Sequence, residues 1–315
     1  MRLAVGVDLG ATKIASALVT EPGEVIASRQ TFTAPGEGTE AVLGRVAAEV
    51  NALVGEAPGQ VMGVGIGSPG QVNSVEGVVR NAVNLGWAEV PLAAGVRSRL
   101  TFDLPVRIEK DTNAGALGEY FFGAGRGCDD FVYLTVGSGL GGGVIANGEL
   151  VSGANHNAAE LGHVSLDPNG RPCVCGLRGC AETVVSGNGL LAVTREQLAA
   201  KILPTRLIDS PDLTTAAVIA AACDGDELAL AAFAEVARWL GAVMAMCVAV
   251  LNPARILVGG GLALAAADFL LPGAQNELQR RVLALSHQHL EVRLSQLTSS
   301  AVGAACLVGN ARRRQ

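Results

Sequence analysis

Apolar residues in the first part of the chain form short runs that are separated by glycine-rich or polar turns. Runs of this length, rich in valine and isoleucine, predict β-strands at 2–7, 14–19, 25–31, 61–66 and 106–110. Between some of these runs, apolar positions repeat with helical spacing and predict helices at 39–54, 91–100 and 112–121. Strands that alternate with helices are typical of an α/β fold, which is the class that the pattern predicts.

The second part of the chain repeats this layout and then becomes mostly helical. A predicted strand at 131–136 leads through a glycine turn at 137–143 into a returning strand at 144–146. Further along, the pattern predicts helices at 196–202, 216–222 and 226–251, a strand at 255–258 and a last helix at 299–309. The repeated strand–turn–strand layout indicates two domains of related design. We place their boundary near residues 112–123, which gives domains of 1–117 and 118–298, with the C-terminal helix 299–315 joining the first.

Composition and charge limit the classes of function. A chain of 315 residues is long enough for two domains, and its net charge of −6 argues against a nucleic-acid partner. The charge-free run 239–254 is shorter than the roughly 20 apolar residues that cross a bilayer, so it predicts a buried core helix and no membrane partner. Seven cysteines, three of them at metal-ligand spacing, favour a reducing, cytoplasmic location.

Four potential metal ligands lie within one short segment, 162–180, in which glycines and prolines interrupt regular structure. The set contains one imidazole and three thiols, a combination that usually binds a structural Zn²⁺. Its members are His163, Cys173, Cys175 and Cys180. Three buried or oxidised cysteines beside an unrelated histidine are the alternative. Two acids, Glu160 and Glu182, flank the set, and a folded metal loop would fix both beneath a polar binding site.

The turn after the first predicted strand has the composition of an anion-binding loop. It joins two strands, so it is neither a Walker loop nor a Rossmann turn, both of which lead into a helix. Small residues such as Gly10 let backbone N–H groups and the Thr12 hydroxyl approach a phosphate chain. Lys13 can add a positive charge, and Asp8 can hold a Mg²⁺-bound water. An ordinary β-hairpin has the same kind of glycine turn.

Two further glycine turns follow predicted strands in the second part of the chain. One contains Gly137, Ser138 and Gly139, and the other contains Gly259, Gly260 and Gly261. Glycines at such positions allow a flat ring or a phosphate to come close to the backbone. Alone, the turn at Gly137 is as ambiguous as the one at Gly10, and the turn at Gly259 is explained equally well by a flexible linker between a strand and a helix. The turns at Gly10 and Gly137, each after a buried strand, together favour a nucleotide site.

An acidic residue stands where a predicted strand ends and a predicted helix begins. Asp111 follows the strand 106–110, and the ends of strands are where α/β folds place their reactive groups. A carboxylate at this point can accept the proton of a substrate hydroxyl. Aspartate is also a good residue for capping the N-terminus of a helix, and the spacing alone favours the cap over the catalytic role.

Taken together, these motifs resemble those of the ROK family of sugar kinases and repressors, within the actin-like ATPase superfamily. Residues 7–13 are similar to the family's first phosphate motif, and residues 137–143 are similar to its second. The segment from Gly153 through Glu160 to Glu182 is similar to the family's signature and zinc site. This segment is the specific part of the resemblance, because glycine turns are shared by many families.

The resemblance implies two RNase H-like domains with a central interdomain cleft that closes over ATP-Mg²⁺ and a hexose, and a structural Zn²⁺ loop. It makes Asp111 the general base, places Gly260 and its neighbours against adenosine, and implies a homodimer or homotetramer. The residues that it places at the sugar are Asn84, Lys110, Asp111, Glu160, His163 and Glu182. The expected activity is ATP-dependent phosphorylation of a hexose, with the 6-hydroxyl of glucose as the leading acceptor.

Two residues depart from the family's pattern. Lys110 replaces the asparagine that usually precedes the catalytic aspartate, and lysine donates hydrogen bonds but does not accept them. Ala159 stands where glycine is commoner before the glutamate. The sugar therefore stays open, with N-acetylglucosamine, N-acetylmannosamine, mannose, fructose and allose as alternatives, and polyphosphate is an alternative donor.

Two other functions fit the resemblance less well. Sugar-responsive repressors of this family carry a helix-turn-helix domain before the first phosphate motif, whereas here that motif begins at Asp8. An actin-like assembly or chaperone ATPase would not need sugar-reading acids around a metal loop. The sequence therefore predicts a sugar kinase, with a sugar-sensing regulator as the alternative.

Overall fold

The computed structural model describes residues 1–209, 211–297 and 299–309, and these residues form two compact units. The first unit comprises 1–129, 143–158 and the C-terminal segment from Gln296, and the second comprises 130–142 and 159–295. The last part of the predicted helix 299–315, from residue 310 onward, lies outside the described residues. The domain bounds of 1–117 and 118–298 stay a prediction, because compact units defined by contacts between residues are not the same as folding domains.

The strands of the first unit build two sheets. Its main sheet has the order β3-β2-β1-β4-β8, and a smaller sheet has the order β5-β6-β7. In chain order the strands are β1 (Arg2–Leu9), β2 (Lys13–Thr20), β3 (Val25–Phe32), β4 (Gln60–Ser68), β5 (Gln71–Asn73), β6 (Val78–Ala82), β7 (Trp87–Val90) and β8 (Val106–Lys110). The first three are antiparallel neighbours, while β1, β4 and β8 run parallel, so the predicted strands of this unit are confirmed.

The helices follow the predicted alternation with strands in the first unit and dominate the second. In chain order they are α1 (Thr39–Gly55), α2 (Leu92–Arg97), α3 (Asp111–Phe122), α4 (Gly187–Ala200), α5 (Thr215–Cys223), α6 (Glu227–Leu251), α7 (Gly261–Ala265), α8 (Ala267–Arg281), α9 (Ala284–His287) and α10 (Ser300–Gly309). The predicted start of α4 at 196 is wrong, because the helix begins at Gly187. There Ser186 caps it by accepting the Gly189 N–H bond.

Glycines let α10 lie directly on the sheet of the first unit. A Cβ on Gly6 of β1 would lie 1.8 Å from the carbonyl oxygen of Ala301, a distance that no side chain tolerates. On the neighbouring strand β4, a Cβ on Gly65 would lie 1.9 Å from the carbonyl oxygen of Ala304. Because the backbones touch, α10 is an integral layer of this unit and not an appended helix.

The second unit contains a parallel sheet. Its strands are β9 (Phe131–Val136), β12 (Arg255–Gly259) and β13 (Glu291–Leu294), and β12 pairs with both of the others. Between them in sequence, β10 (Leu140–Ala146) begins in this unit, and from Gly143 onward it belongs to the first unit, where it pairs with β11 (Glu149–Leu150). The glycine turn predicted at 137–143 is therefore shorter than expected, because the strand already begins at Leu140.

Helix α6 is the central helix of the second unit. It is long and apolar enough, by length and composition, to cross a membrane, and no other helix in the described ranges is. However, 56% of its apolar window is buried inside the fold, and it packs against α4, α5 and α8. Those contacts are what the sequence predicts for a core helix.

Candidate functional site

Three parallel strands of the first unit end side by side, and each end carries a residue of interest. In the register of the sheet, Asp8 of β1 faces Gly67 of β4, and Gly67 faces Glu109 of β8. Asp111 follows β8 directly, and a Cβ on Gly67 would lie only 3.3 Å from the Cα of Asp111. The two aspartates thus adjoin the same glycine. The carboxyl ends of parallel strands are the usual place for a binding site in an α/β fold.

Asp111 is the first residue of α3, and Lys110 occupies the N-cap position. The Oδ1 atom of Asp111 accepts a hydrogen bond of 2.7 Å from the Thr112 N–H group. Aspartate at this point therefore does not serve as the N-cap residue itself. Its carboxylate lies at the helix end that favours negative charge, and it is half-buried.

Lys110 ties a loop to the end of β8. Its side chain is 5% exposed, and the Nζ atom donates a 2.9 Å hydrogen bond to the carbonyl oxygen of Ala158. The neighbouring Glu109 accepts hydrogen bonds at Oε1 from the Lys110 N–H group and from Nδ2 of Asn113. The ammonium group of Lys110 thus holds the segment before Glu160 against the strand that leads into Asp111.

The turn between β1 and β2, residues 10–12, is here called the first glycine turn. The Gly10 N–H group donates to the Lys13 carbonyl oxygen over 2.9 Å, and the Thr33 hydroxyl donates to the Gly10 carbonyl oxygen over 2.7 Å. The side chains of Thr12 and Lys13 are exposed. The turn is therefore a braced hairpin with two polar side chains at its surface.

Asp8 stands next to the first glycine turn in a setting that would suit a cation. Burial raises the pKa of its carboxyl group, although a hydrogen bond from the Ser300 side chain and the charge of Lys13 lower it. A divalent cation or a cation-bound water beside Asp8 would favour the ionised carboxylate. The residue type and its burial thus fit the predicted Mg²⁺ role.

Residues 137–139 form the second glycine turn, which lies against the start of α4. Gly187 donates its N–H group to the Gly137 carbonyl oxygen over 2.8 Å. A Cβ on Gly187 would lie 3.8 Å from the Cα of Ser138 and 3.2 Å from Cγ2 of Thr215, the first residue of α5. The N-terminus of a helix favours anions, so this arrangement suits a phosphate group. The sequence analysis did not identify Gly187 or Thr215. Ser186, a residue type that often caps helices, was the feature of the sequence that indicated a helix beginning at Gly187.

The third glycine turn, residues 259–261, joins the second within the same unit. Gly260 has a φ of 90°, and a Cβ there would lie 2.5 Å from the carbonyl oxygen of Val136 at the end of β9. A Cβ on Gly137 would lie 4.0 Å from the backbone nitrogen of Gly261. The structure therefore brings the two predicted nucleotide turns of this unit together.

Besides Lys110 and Asp111, the predicted sugar-reading residues occupy three different places. Glu182 lies against the second glycine turn, where its Oε2 atom accepts a 2.9 Å hydrogen bond from the Leu140 N–H group. Glu160 is linked to His163 through the His163 N–H group, which donates to the Glu160 carbonyl oxygen over 3.0 Å. Asn84 is exposed in the short 3-10 turn Val83–Leu85 of the first unit.

One histidine and three cysteines converge in the second unit, and together they are called the cysteine cluster. The members are His163, Cys173, Cys175 and Cys180, and their ligand atoms all lie within 4.8 Å of one another. The Cys175 and Cys180 sulfur atoms are 3.6 Å apart, and Cys173 Sγ is 3.7 Å from His163 Nδ1. In a tetrahedral site with Zn–S bonds near 2.3 Å, ligand sulfur atoms lie about 3.8 Å apart. The donor set and its spacing therefore fit one tetrahedral metal ion.

The loop around the cysteine cluster is shaped by turns that require glycine. Gly179 has a φ of 68°, and a Cβ there would lie 1.6 Å from the Asp167 carbonyl oxygen.

Burial, together with the neighbouring thiols of Cys175 and Cys173, raises the pKa of the Cys180 thiol to about 12. A metal ion would offset this effect, because it binds the thiols in their deprotonated, thiolate form.

The chain is similar in sequence and structure to several known proteins. The sequence model of the ROK family matches residues 4–311. A glucokinase of Halalkalibacterium halodurans is 32% identical over 313 residues, which is 96% of this chain and 94% of that protein. A xylose repressor of Caldicellulosiruptor bescii is 32% identical over 309 residues, which is 96% of this chain and 76% of the repressor. A ROK family glucokinase of Streptomyces griseus, solved with glucose and AMPPNP, superposes with a TM-score of 0.84 at 34% identity and covers 98% of this chain and 100% of its own.

Proposed function

Because the chain belongs to the ROK family, we propose that it is a sugar kinase that transfers a phosphoryl group from ATP to a hexose. The favoured substrate is glucose, and the favoured product is glucose 6-phosphate. The observation that carries the proposal is the similarity, over nearly the whole chain, to a glucokinase solved with glucose and an ATP analogue. Because the superposition covers 98% of this chain, it extends over the segments that contain the candidate residues.

Asp111 is the proposed general base. It would accept the proton of the attacking sugar hydroxyl while the γ-phosphoryl group leaves ADP. Phosphoryl transfer depends mainly on in-line positioning and on neutralising charge, so a carboxylate hydrogen-bonded to the hydroxyl is sufficient. The position of Asp111 at the start of α3, directly beside Gly67 near the end of β4, supports this role.

The proposed sugar contacts are the six polar residues that the family resemblance places at the sugar. They are Asn84, Lys110, Asp111, Glu160, His163 and Glu182. Carboxylates and amides that read several hydroxyls discriminate strongly between sugars, because a wrong sugar leaves buried polar groups unpaired. Lys110 is already engaged with Ala158, so we propose that it shapes the sugar site mainly by holding this loop.

The proposed nucleotide contacts come from the three glycine turns. In the first unit they are Gly10, Thr12 and Lys13, with Asp8 as the holder of a Mg²⁺-bound water. In the second unit they are Gly137, Ser138, Gly139, Gly259, Gly260 and Gly261. Mg²⁺, when bound with ATP, neutralises charge on the phosphates. The close backbone packing of the second and third turns supports an adenosine phosphate site.

We propose a structural Zn²⁺ ion for the cysteine cluster. Four protein ligands complete a tetrahedral set, so no position is left for a substrate, as is usual for structural zinc. The ion would hold the loop that carries His163 and leads into Glu182. Its effect on catalysis is therefore indirect.

Replacing Cys175 with serine is expected to reduce the bound zinc from about one ion per chain to nearly none, since three thiolates and one imidazole are needed to close the site. Cys175 is exposed, so serine itself causes no overlap. Metal analysis of freshly purified protein measures the loss, and hydrogen exchange over residues 163–180 should rise. The matched control is Cys223→Ser, which changes another exposed thiol outside the cluster. Zinc retained in full by Cys175→Ser would refute the four-ligand site.

A sugar panel tests the proposed activity directly. Purified protein with ATP and Mg²⁺ is expected to release ADP rapidly with glucose and much more slowly without sugar. The other sugars to include are N-acetylglucosamine, N-acetylmannosamine, mannose, fructose and allose, and polyphosphate replaces ATP in a parallel series. ADP release that no hexose stimulates would contradict the kinase assignment, and a better hexose than glucose would correct the substrate alone.

A sugar-sensing regulator is the second candidate function. The xylose repressor matches over 96% of this chain, and Lys110 stands where the family's kinases usually carry asparagine. The same sugar panel separates the two functions, because a regulator would bind a sugar without releasing ADP. The cytoplasmic location, the lack of a nucleic-acid partner and the homodimer or homotetramer stay predictions.

A further inference from the structure

Glu182 lies between the cysteine cluster and the second glycine turn. It follows Cys180 by two residues, in the 3-10 turn Ala181–Thr183. Its Oε2 atom accepts the Leu140 N–H hydrogen bond at 2.9 Å, and a Cβ on Gly139 would lie only 2.3 Å from the same oxygen. The carboxylate is thus packed directly on the backbone of the turn.

The backbone that follows Glu182 holds the other end of the same turn. The Ser186 hydroxyl donates to the Glu182 carbonyl oxygen over 2.7 Å and accepts the Gly189 N–H bond over 2.9 Å. Gly187 then donates to the Gly137 carbonyl oxygen over 2.8 Å. The second glycine turn is therefore fixed at its start by Gly187 and at its end by Glu182.

We propose that Glu182 is a positioning residue for the nucleotide, in addition to any contact that it makes with the sugar. By holding the Leu140 N–H group, the carboxylate fixes the orientation of the second glycine turn before the phosphates arrive. The inference rests on the proposed function, because it takes this turn to be a phosphate site. A hydrogen bond to an ionised acceptor is among the stronger ones, which suits it to fixing a glycine-rich backbone.

A carboxylate can serve both substrates at once. It has two oxygen atoms with about four acceptor positions, so Oε2 can keep the Leu140 bond while a sugar hydroxyl uses other positions. The same side chain would then link sugar binding to the geometry of the phosphate turn. A pure sugar ligand makes a different prediction, because nucleotide affinity measured without sugar would not depend on Glu182.

The test is calorimetric titration of Mg²⁺ and AMPPNP without sugar. Glu182→Ala is expected to weaken nucleotide binding roughly tenfold, the lower range for losing a hydrogen bond to a charged group. Glu182→Gln, whose amide oxygen still accepts the Leu140 bond, should recover much of that loss. Equal affinity in Glu182→Ala and the unsubstituted protein would overturn this inference alone. Absence of nucleotide binding by the unsubstituted protein would overturn the proposed function and the inference with it.

A second substitution displaces the carboxylate without removing it. Gly139→Ala places a methyl group where Oε2 lies and should weaken nucleotide binding in the unsubstituted background, but add little in the Glu182→Ala background. If Glu182→Ala does not fold, Glu182→Asp replaces it in both measurements, because its carboxylate is one methylene too short to keep the 2.9 Å bond to the Leu140 N–H group. Gly44→Ala is the control, because a Cβ at Gly44 meets nothing within 4 Å. An equal loss from Gly139→Ala in both backgrounds would show that the contact with Glu182 is not the cause.

Discussion

Asp111→Asn is expected to lower kcat by at least about a hundredfold, the lower end of what a positioned general base contributes. Asparagine keeps the size of the side chain and an oxygen that accepts the Thr112 N–H bond, so α3 should begin as before. It does not accept the proton of the sugar hydroxyl. Steady-state ADP release measures kcat, and calorimetry without ATP should show glucose binding within a few fold of the unsubstituted protein.

The control for this substitution is Asp103→Asn, which makes the same chemical change on the surface of the same unit. The Asp103 side chain is 91% exposed and pairs with Arg97, and such surface pairs contribute little. Its kcat should be unchanged. A near-normal kcat in Asp111→Asn would show that Asp111 is not the general base. Its role would then be structural, at the start of α3.

Gly6→Ala is expected to destabilise the first unit by about 3 kcal/mol or more, at the upper end for overpacking a core. The added methyl group would lie 1.8 Å from the Ala301 carbonyl oxygen, and neither the strand nor the helix can move without losing other contacts. Denaturant unfolding followed by tryptophan fluorescence measures the effect. Of the two tryptophans in the chain, Trp87 is buried in the first unit, so a Trp239→Phe background isolates its signal.

The matched control is again Gly44→Ala, a glycine in the middle of α1 that has open space around it. Alanine favours helix over glycine, so this change should be neutral or slightly stabilising. If Gly6→Ala unfolds at the same denaturant concentration as the control, α10 does not pack on β1 through that glycine.

Local pattern was enough to predict the elements that carry the candidate base. The strand at 106–110 agrees with β8, and the helix at 112–121 agrees with α3, which begins one residue earlier. The four members of the cysteine cluster were also predictable, because a metal site needs particular residue types at short spacing.

Elements with weak local signals were not predictable in the same way. Helix α8 contains Pro272 and Gly273, which usually interrupt a helix, and its burial against α6 outweighs that preference. The small sheet β5-β6-β7 is made of strands of three to five residues, too short for a clear alternation of apolar and polar positions. In both cases tertiary packing decides what the local sequence leaves undecided.

Contacts between distant residues were beyond sequence reasoning altogether. The bond from Leu140 to Glu182 spans 42 positions, and no motif places these two residues together. The same holds for Lys110 and Ala158, which are 48 positions apart. The sequence indicated which residues to consider, whereas the structure showed which of them hold one another in place.

The position of α10 in the chain has a consequence for protein synthesis. A ribosome makes β1, β4 and α3 early, but it makes the helix that lies on Gly6 and Gly65 only after the whole of the second unit. Until then, the nascent first unit exposes an uncovered sheet surface. Chaperone protection during translation should therefore matter more for this half of the protein than for the other, whose described residues are all translated before α10.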